Sequence, residues 1–328
     1  MHLPAARGPL TSFLIDHLRR PPHRLPGFLA PMDGALDGDD FQLALYLCYE
    51  LHYRGFDDVD DAWEWEPSLI ELRRRFEDRF ERALRAAIGR PHADGDVLLT
   101  LRRLAARDGI SLAAFMHEHG TLEQFRELVL HRSAYQLKEA DPHTWAIPRL
   151  DGIAKAALVA IQSEEYGEGD LAKMHSVLFA GVMDALGLDA TYGRYLDLLP
   201  GTTLATVNLI SMFGLHRRLR GALVGHLALF EMTSTGPNSS YAAALRRMGA
   251  PAAALAFYDE HVEADAMHEI IACEHMAGSL AADGLGDDVI FGARALDLLE
   301  GRFAAMLIER WHAGGTSLRE TSAVEMLA

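Results

Sequence analysis

The segment FYDEHVEADAMHE at residues 257–269 contains three candidate metal ligands on one predicted helix. His261, Asp265 and His268 follow one another at i, i+4 and i+7. At about 100° per residue, these positions lie within about 60° of each other around a helix, so the three side chains point the same way. Imidazole and carboxylate together favour iron, manganese or zinc over calcium or magnesium. Because three more glutamates lie in this segment, a solvent-exposed acidic face is the alternative interpretation.

Helical periodicity continues on both sides of this segment. Apolar residues recur at i, i+3, i+4 and i+7 through most of the chain, and no alternating pattern typical of a strand stands out. We therefore predict an all-α protein with a soft boundary near residues 90–120. Residues 1–110 are expected to form an N-terminal helical extension, residues 111–313 a bundle of about seven helices, and residues 314–328 a frayed tail.

Local signals predict several helix boundaries. Thr121 with Gln124 forms the pattern of a capping box, and so does Ser68 with Glu71. The helix that begins at Thr121 is expected to run to about Glu139. Gly236-Pro237-Asn238 predicts a break between two helices.

Composition excludes several classes of protein. The chain has 328 residues, of which 49% are hydrophobic and 24% charged, as in ordinary globular proteins. It has neither an apolar run of the length that spans a membrane nor a recognisable signal peptide. A formal net charge of −16 without a basic stripe argues against nucleic-acid binding. Two cysteines are too few for a disulfide framework, so we expect a protein of the reducing cytoplasm. From the charge and the lack of a long apolar run, we expect it to bind neither nucleic acid nor a membrane.

The segment QSEEYGEGDLAKMHSVLF at residues 162–179 contains a second pair of candidate ligands, Glu165 and His175. They are ten residues apart, about 80° off one line on an ideal helix. The glycines between them would permit a loosened turn that aims both inward. Glu168 has the cleaner helical relation to His175, and Glu164 is a third option. Spacing by itself does not choose among the three carboxylates.

Two further carboxylates end apolar or small-residue stretches. Glu231 closes GALVGHLALFE, where a buried carboxylate is costly unless it pairs with a buried arginine or binds a metal. Glu139 closes SAYQLKE, where a plain surface glutamate is the alternative. Together with Glu165 and Asp265 they would bring four negative charges into a bundle core. Two divalent cations would neutralise these charges, and three imidazoles would complete the shell.

In their order and spacing these residues resemble the haem-oxygenase-like di-iron oxidases and oxygenases, also called iron-containing redox enzymes. The likeness covers residues 121–310, and His-x3-Asp-x2-His on a late helix is its most specific element. The phrases KEADPHTWAIPRL, EEYGEG and FGLHRRLRGALVGHLALFE are similar to bacterial members of the family. The spacing is especially similar to that of the central domain of the streptozotocin-pathway N-oxygenase.

This resemblance implies a seven-helix haem-oxygenase-like bundle that binds two Fe ions rather than haem. It implies three imidazole ligands and four terminal or bridging carboxylates: His175, His261, His268, Glu139, Glu165, Glu231 and Asp265. It therefore favours Glu165 over Glu168. Some relatives have an extra glutamate three residues before the first histidine, where this chain has Ala172.

The resemblance also implies an O₂-dependent enzyme. Two Fe²⁺ ions would reduce O₂ to a peroxide that bridges two Fe³⁺ ions, and this species would oxidise a small polar metabolite. N-oxygenation, C–C cleavage or decarboxylation, and desaturation are the expected reactions, with an external electron donor or reductase to return the irons to Fe²⁺. A non-catalytic iron-binding protein, a cofactorless or haem-type enzyme on the same fold, and a purely structural helical domain are the alternatives.

Three other features have open interpretations. Arg217, in an arginine-rich turn, is a candidate to hold a substrate carboxylate, although such clusters usually face solvent. His226 lies five residues before Glu231 and is a candidate to support a ligand from behind. For residues 1–110 two roles stay open, a cover over the bundle or the interface of a homodimer.

Overall fold

The computed structural model describes residues 1–28, 30–90, 96–107 and 109–320, and for residues 263–267 it describes the backbone alone. Throughout this part of the chain the regular elements are helices, which confirms the all-α prediction. The first helices are α1 (Pro9–Leu18), α2 (Asp39–Glu50), α3 (Pro67–Ile88), α4 (Val97–Ala105) and α5 (Leu112–Glu118). The later ones are α6 (Leu122–Gln136), α7 (Gly152–Glu165), α8 (His175–Ala185), α9 (Gly201–Leu215), α10 (Arg220–Met232), α11 (Thr235–Met248), α12 (Ala256–Ile270) and α13 (Gly286–His312).

The predicted helix starts are partly confirmed. At the start of α6 the Thr121 hydroxyl accepts from the Gln124 amide at 3.2 Å, and the Gln124 side chain accepts from the Thr121 amide at 2.9 Å, which is the expected capping box. The capping box expected at Ser68 is wrong. Glu66 caps α3 instead, since its carboxylate accepts the amide hydrogen of Leu69 at 2.8 Å.

The predicted break between two helices is present at residues 233–234, between the end of α10 at Met232 and the start of α11 at Thr235, rather than at Gly236-Pro237-Asn238. These residues form the first turn of α11. Proline fits there because the first backbone N–H groups of a helix have no partner within it. At the other end of α11, Gly249 adopts the left-handed conformation (φ 72°) that commonly ends a helix.

Helices α10 and α13 cross at the centre of the fold in direct backbone contact. A methyl group on Gly225 would lie 1.8 Å from the carbonyl oxygen of Val289, and one on Gly292 would lie 1.8 Å from that of Ala222. Glycine is therefore required at both positions. This close approach fixes α10, whose last turn carries Glu231, at the centre of the bundle.

The N-terminal helices share a core with the bundle. A single hydrophobic cluster extends from Leu10 to Leu318. Helix α2 packs on α9, where the fully buried Asn208 donates to the backbone and side-chain oxygens of Gln42, both at 2.8 Å. The boundary near residues 90–120 stays a prediction.

The chain after α13 is anchored as far as residue 320 rather than frayed. Ser317 is buried, and its amide and hydroxyl both donate to Glu127, at 2.8 and 2.5 Å. Arg319 donates to Asp39 at 2.6 Å. Within the described ranges, no helix combines the length and the apolar character needed to cross a membrane.

Candidate metal centre

Six of the seven predicted ligands meet in the interior of the bundle as two groups of three. The first triad comprises Glu139, His175 and His261, and the second comprises Glu165, Glu231 and His268. Within each triad the candidate ligand atoms lie within 4.8 Å of one another, and all six residues are buried. Side chains that are separated by up to 129 positions in sequence therefore converge.

In the first triad, a hydrogen bond to the backbone fixes the orientation of the His261 imidazole. It lies on α12, and its Nδ1 donates to the carbonyl oxygen of Phe257 at 2.7 Å, one turn earlier. This bond leaves Nε2 as the acceptor nitrogen, 3.9 Å from Oε1 of Glu139. The ring centroid of His175 lies 4.3 Å from that of His261, so the two imidazoles face the same small space.

His268 organises the second triad in a comparable way. Its Nε2 donates to the carboxylate of Glu164 at 2.8 Å, which directs Nδ1 toward Glu231 at 3.4 Å. A carboxylate behind a ligating imidazole fixes the ring orientation and raises its basicity. Glu164, an open alternative in the sequence, therefore supports a candidate ligand from a half-exposed position.

Glu165 connects the two triads. Its Oε2 lies 2.8 Å from Nδ1 of His175, and its Oε1 lies 3.9 Å from Nδ1 of His268. One oxygen of Glu165 therefore faces each triad.

The turn after α7 explains why Glu165 and not Glu168 reaches His175. Gly167 has φ 63°, and a methyl group there would lie 2.7 Å from the backbone of Lys173 and Met174. This tight reversal places His175 at the start of α8 opposite the last turn of α7. Glu168 itself adopts φ 53° and is exposed.

Asp265 stands apart from the other predicted ligands. Its backbone lies in α12 between the two histidines, but its side chain is outside the described part of the structure. Its role as a ligand stays a prediction.

Burial and neighbouring charges shift the pKa values of two histidines of the site in opposite directions. Burial, with the nearby His175, lowers the pKa of His261 to about 4, so its imidazole is neutral near pH 7. Burial also acts to lower the pKa of His268, but the hydrogen bond and charge of Glu231 outweigh it and raise the pKa to about 9. For Glu165, burial acts to raise the pKa, and the hydrogen bond and charge of His175 reverse this and lower it. The carboxylate at the centre is therefore ionised.

The other two predicted residues lie farther from the triads. His226 is buried on α10 and contacts His143 at 3.3 Å, and His143 in turn lines the space between Glu139, Glu165 and Glu231. Arg217 is exposed in a 3₁₀ turn just before α10.

Comparison with known proteins identifies the family. A family model for iron-containing redox enzymes matches residues 126–301, more than half of the chain. The chain belongs to the iron-containing redox enzyme family. The matched region of this family member contains both triads, and membership supports an oxidoreductase with an iron cofactor. A search of curated proteins found no match.

A cavity of about 600 Å³ adjoins the first triad of this iron-containing redox enzyme. Four residues of one stripe of α6 and its C-terminal extension line it, at i, i+3, i+4 and i+7: Arg132, Tyr135, Gln136 and Glu139. Glu139 and His261, both buried, also line it. Arg132 pairs with Glu300 through two hydrogen bonds, of 2.9 and 2.7 Å. Sequence reasoning missed this cavity, although the helical spacing of its α6 wall was visible in the chain.

Proposed function

We propose that this protein is a non-haem di-iron oxidase or oxygenase that uses O₂ to oxidise a small polar metabolite. The position of Glu165, with one oxygen toward each triad, carries the proposal. The donor set suits iron, since carboxylates and imidazoles together bind Fe(II). Glu139, His175 and His261 would hold one ion, and Glu165, Glu231 and His268 the other, with Glu165 shared.

The residues around the triads prepare them for metal. His261 presents Nε2 because Nδ1 is bonded to a backbone carbonyl, and His268 presents Nδ1 because Nε2 is bonded to Glu164. Bound iron would supply the electrons that O₂ reduction requires. An external electron donor or reductase is proposed to return the irons to Fe²⁺.

The cavity of about 600 Å³ is the proposed substrate site, since its size suits a small metabolite and Glu139 and His261 of the first triad line it. Burial, together with the charges of Glu139 and Glu165, raises the pKa of Tyr135 well above its usual value. The Tyr135 hydroxyl therefore keeps its proton and can donate a hydrogen bond to a bound molecule. Which of N-oxygenation, carbon–carbon cleavage or desaturation takes place depends on the substrate.

Anaerobic loading with Fe²⁺ tests the proposal. After removal of free metal, we expect about two irons per chain and rapid O₂ consumption on mixing with air-saturated buffer. The double variant His261→Ala/His268→Ala should lose the iron, whereas Glu168→Gln should keep it because Glu168 is exposed. Iron uptake that survives the double variant would contradict the site. Stable iron with no O₂ consumption would support the non-catalytic iron-binding alternative instead.

A further inference from the structure

A buried ion pair lies directly beside the candidate ligand Glu139. Lys138 and Glu50 are 1% and 0% exposed, and Nζ of Lys138 lies 2.8 Å from Oε2 of Glu50. Glu50 is the last residue of α2, in the N-terminal region. The pair therefore connects that region to the residue that precedes Glu139 in the chain.

The ion pair is enclosed by aromatic rings and hydrogen bonds. The Tyr192 hydroxyl contacts both carboxylate oxygens of Glu50 at 2.8 Å. The Lys138 ammonium lies 4.1 Å from the ring centroid of Tyr53, within the range of a cation–π contact. Removing one member of such a pair leaves a buried charge without compensation, so the two side chains stay paired in the folded protein.

A second contact from the same region reaches the neighbouring residue. Arg54, four residues after Glu50, donates to the carbonyl oxygen of Leu137 at 3.1 Å. Two successive residues before Glu139 are therefore held by the segment that follows α2.

The other side of the same turn is held by α7. Ala140 has φ 73°, a positive value that L-residues rarely adopt. Its carbonyl oxygen accepts from the Gln162 side chain at 2.8 Å. A strained residue of this kind persists only where its surroundings fix the chain on both sides. Gln162 lies on the helix that ends in Glu165.

We infer that Glu50 and Lys138 are positioning residues for Glu139, so that the N-terminal region is part of the metal site. The inference rests on the proposed function, because it assigns to Glu139 the role of a metal ligand. The ion pair fixes the backbone from which Glu139 extends toward His261. Metal binding by the first triad then depends on a helix that supplies none of its ligands.

Anaerobic titration with Co²⁺, followed by its visible absorption, tests the inference on Lys138→Met, Glu50→Gln and the double variant. Partners behind metal ligands usually affect metal affinity by about 10–100-fold, and we expect a loss in that range at one of two sites. The double variant removes both buried charges, so its free energy of unfolding should return toward the wild-type value. Its metal affinity should stay low, since the connection to α2 is still absent.

Glu77→Gln is the matched control. Glu77 is another buried glutamate of the N-terminal region, 2% exposed, and it contacts His216 at 2.9 Å rather than a neighbour of a candidate ligand. This variant should lose stability and keep both metal sites. If the double variant recovers metal affinity together with stability, the inference is wrong and the proposed function still stands. A wild-type chain that binds no Co²⁺ and no Fe²⁺ would overturn the proposed function and this inference together.

Discussion

Lys138 and Glu139 are consecutive residues that extend into two different buried clusters. Lys138 meets Glu50, a carboxylate that thereby has a permanent cationic partner. Glu139 meets histidines: it forms a triad with His175 and His261. The carboxylates of the second triad likewise contact an imidazole, that of His268.

The difference shows two ways to bury acidic side chains. A lysine partner compensates the charge of a carboxylate, and its ammonium group has no lone pair to offer a metal ion. Imidazole partners can be neutral, and a neutral imidazole offers a nitrogen lone pair to a metal ion. The first cluster is therefore suited to holding the fold in place, and the second to exchanging protons for metal.

The largest expected effect is a loss of bound iron when the cluster of histidines and carboxylates is altered. His268→Ala removes the nitrogen donor of the second triad, and we expect about one iron per chain to be lost after anaerobic Fe²⁺ loading. Iron is counted with a chromogenic chelator after gel filtration. Glu77→Gln, which alters a buried glutamate elsewhere, should retain the wild-type iron content. Equal iron in wild type and His268→Ala would remove the second triad from the site.

Substitutions in the Lys138–Glu50 pair should lower the stability of the fold. Lys138→Met leaves Glu50 buried without its cation and should lower the free energy of unfolding by about 3–5 kcal/mol. Urea denaturation of the metal-free protein measures this. Lys138→Met/Glu50→Gln should recover most of the loss, and a double variant as unstable as the single one would show that the pair is not what stabilises this region.

Acid should weaken the fold through two buried histidines that lie outside both triads. Burial lowers the pKa of both His131 and His226 to about 3, from about 6.5 in an unfolded chain. Their contribution is complete above pH 6.5 and is lost as the pH falls toward 3, because the unfolded chain then binds more protons. Each should cost about 2 kcal/mol between pH 6.5 and 5. Urea denaturation across this range is the measurement, and a stability independent of pH would contradict the burial of neutral imidazoles.

The smallest expected effect concerns Glu168. It is exposed, so Glu168→Gln should change the free energy of unfolding by less than about 0.5 kcal/mol. Iron content should stay at the wild-type value, in contrast to Glu165→Gln, which removes an oxygen that faces one triad. Loss of iron in Glu168→Gln would reopen the choice between the two carboxylates that spacing left unresolved.

The helical class and one helix start could be predicted from local sequence patterns. The capping box at Thr121 was correctly placed because it depends on a few neighbouring residues. The prediction failed at Ser68, where the preceding Glu66 competes for the same cap. The break between α10 and α11 was predicted a few residues too late, at Gly236-Pro237-Asn238, because these residues suit the first turn of a helix as well as a break.

The sequence by itself determined the helical class, the chemical types of the donors and their positions along the chain, since helical period and ligand chemistry are local properties. Only the tertiary structure decided that Glu165 faces His175, that six donors form two triads, and that Glu50 pairs with Lys138. The arrangement of the triads depends on two turns, at Ala140 and Gly167, whose positive-φ backbone is held by contacts with other parts of the chain. No spacing rule for an ideal helix describes such turns.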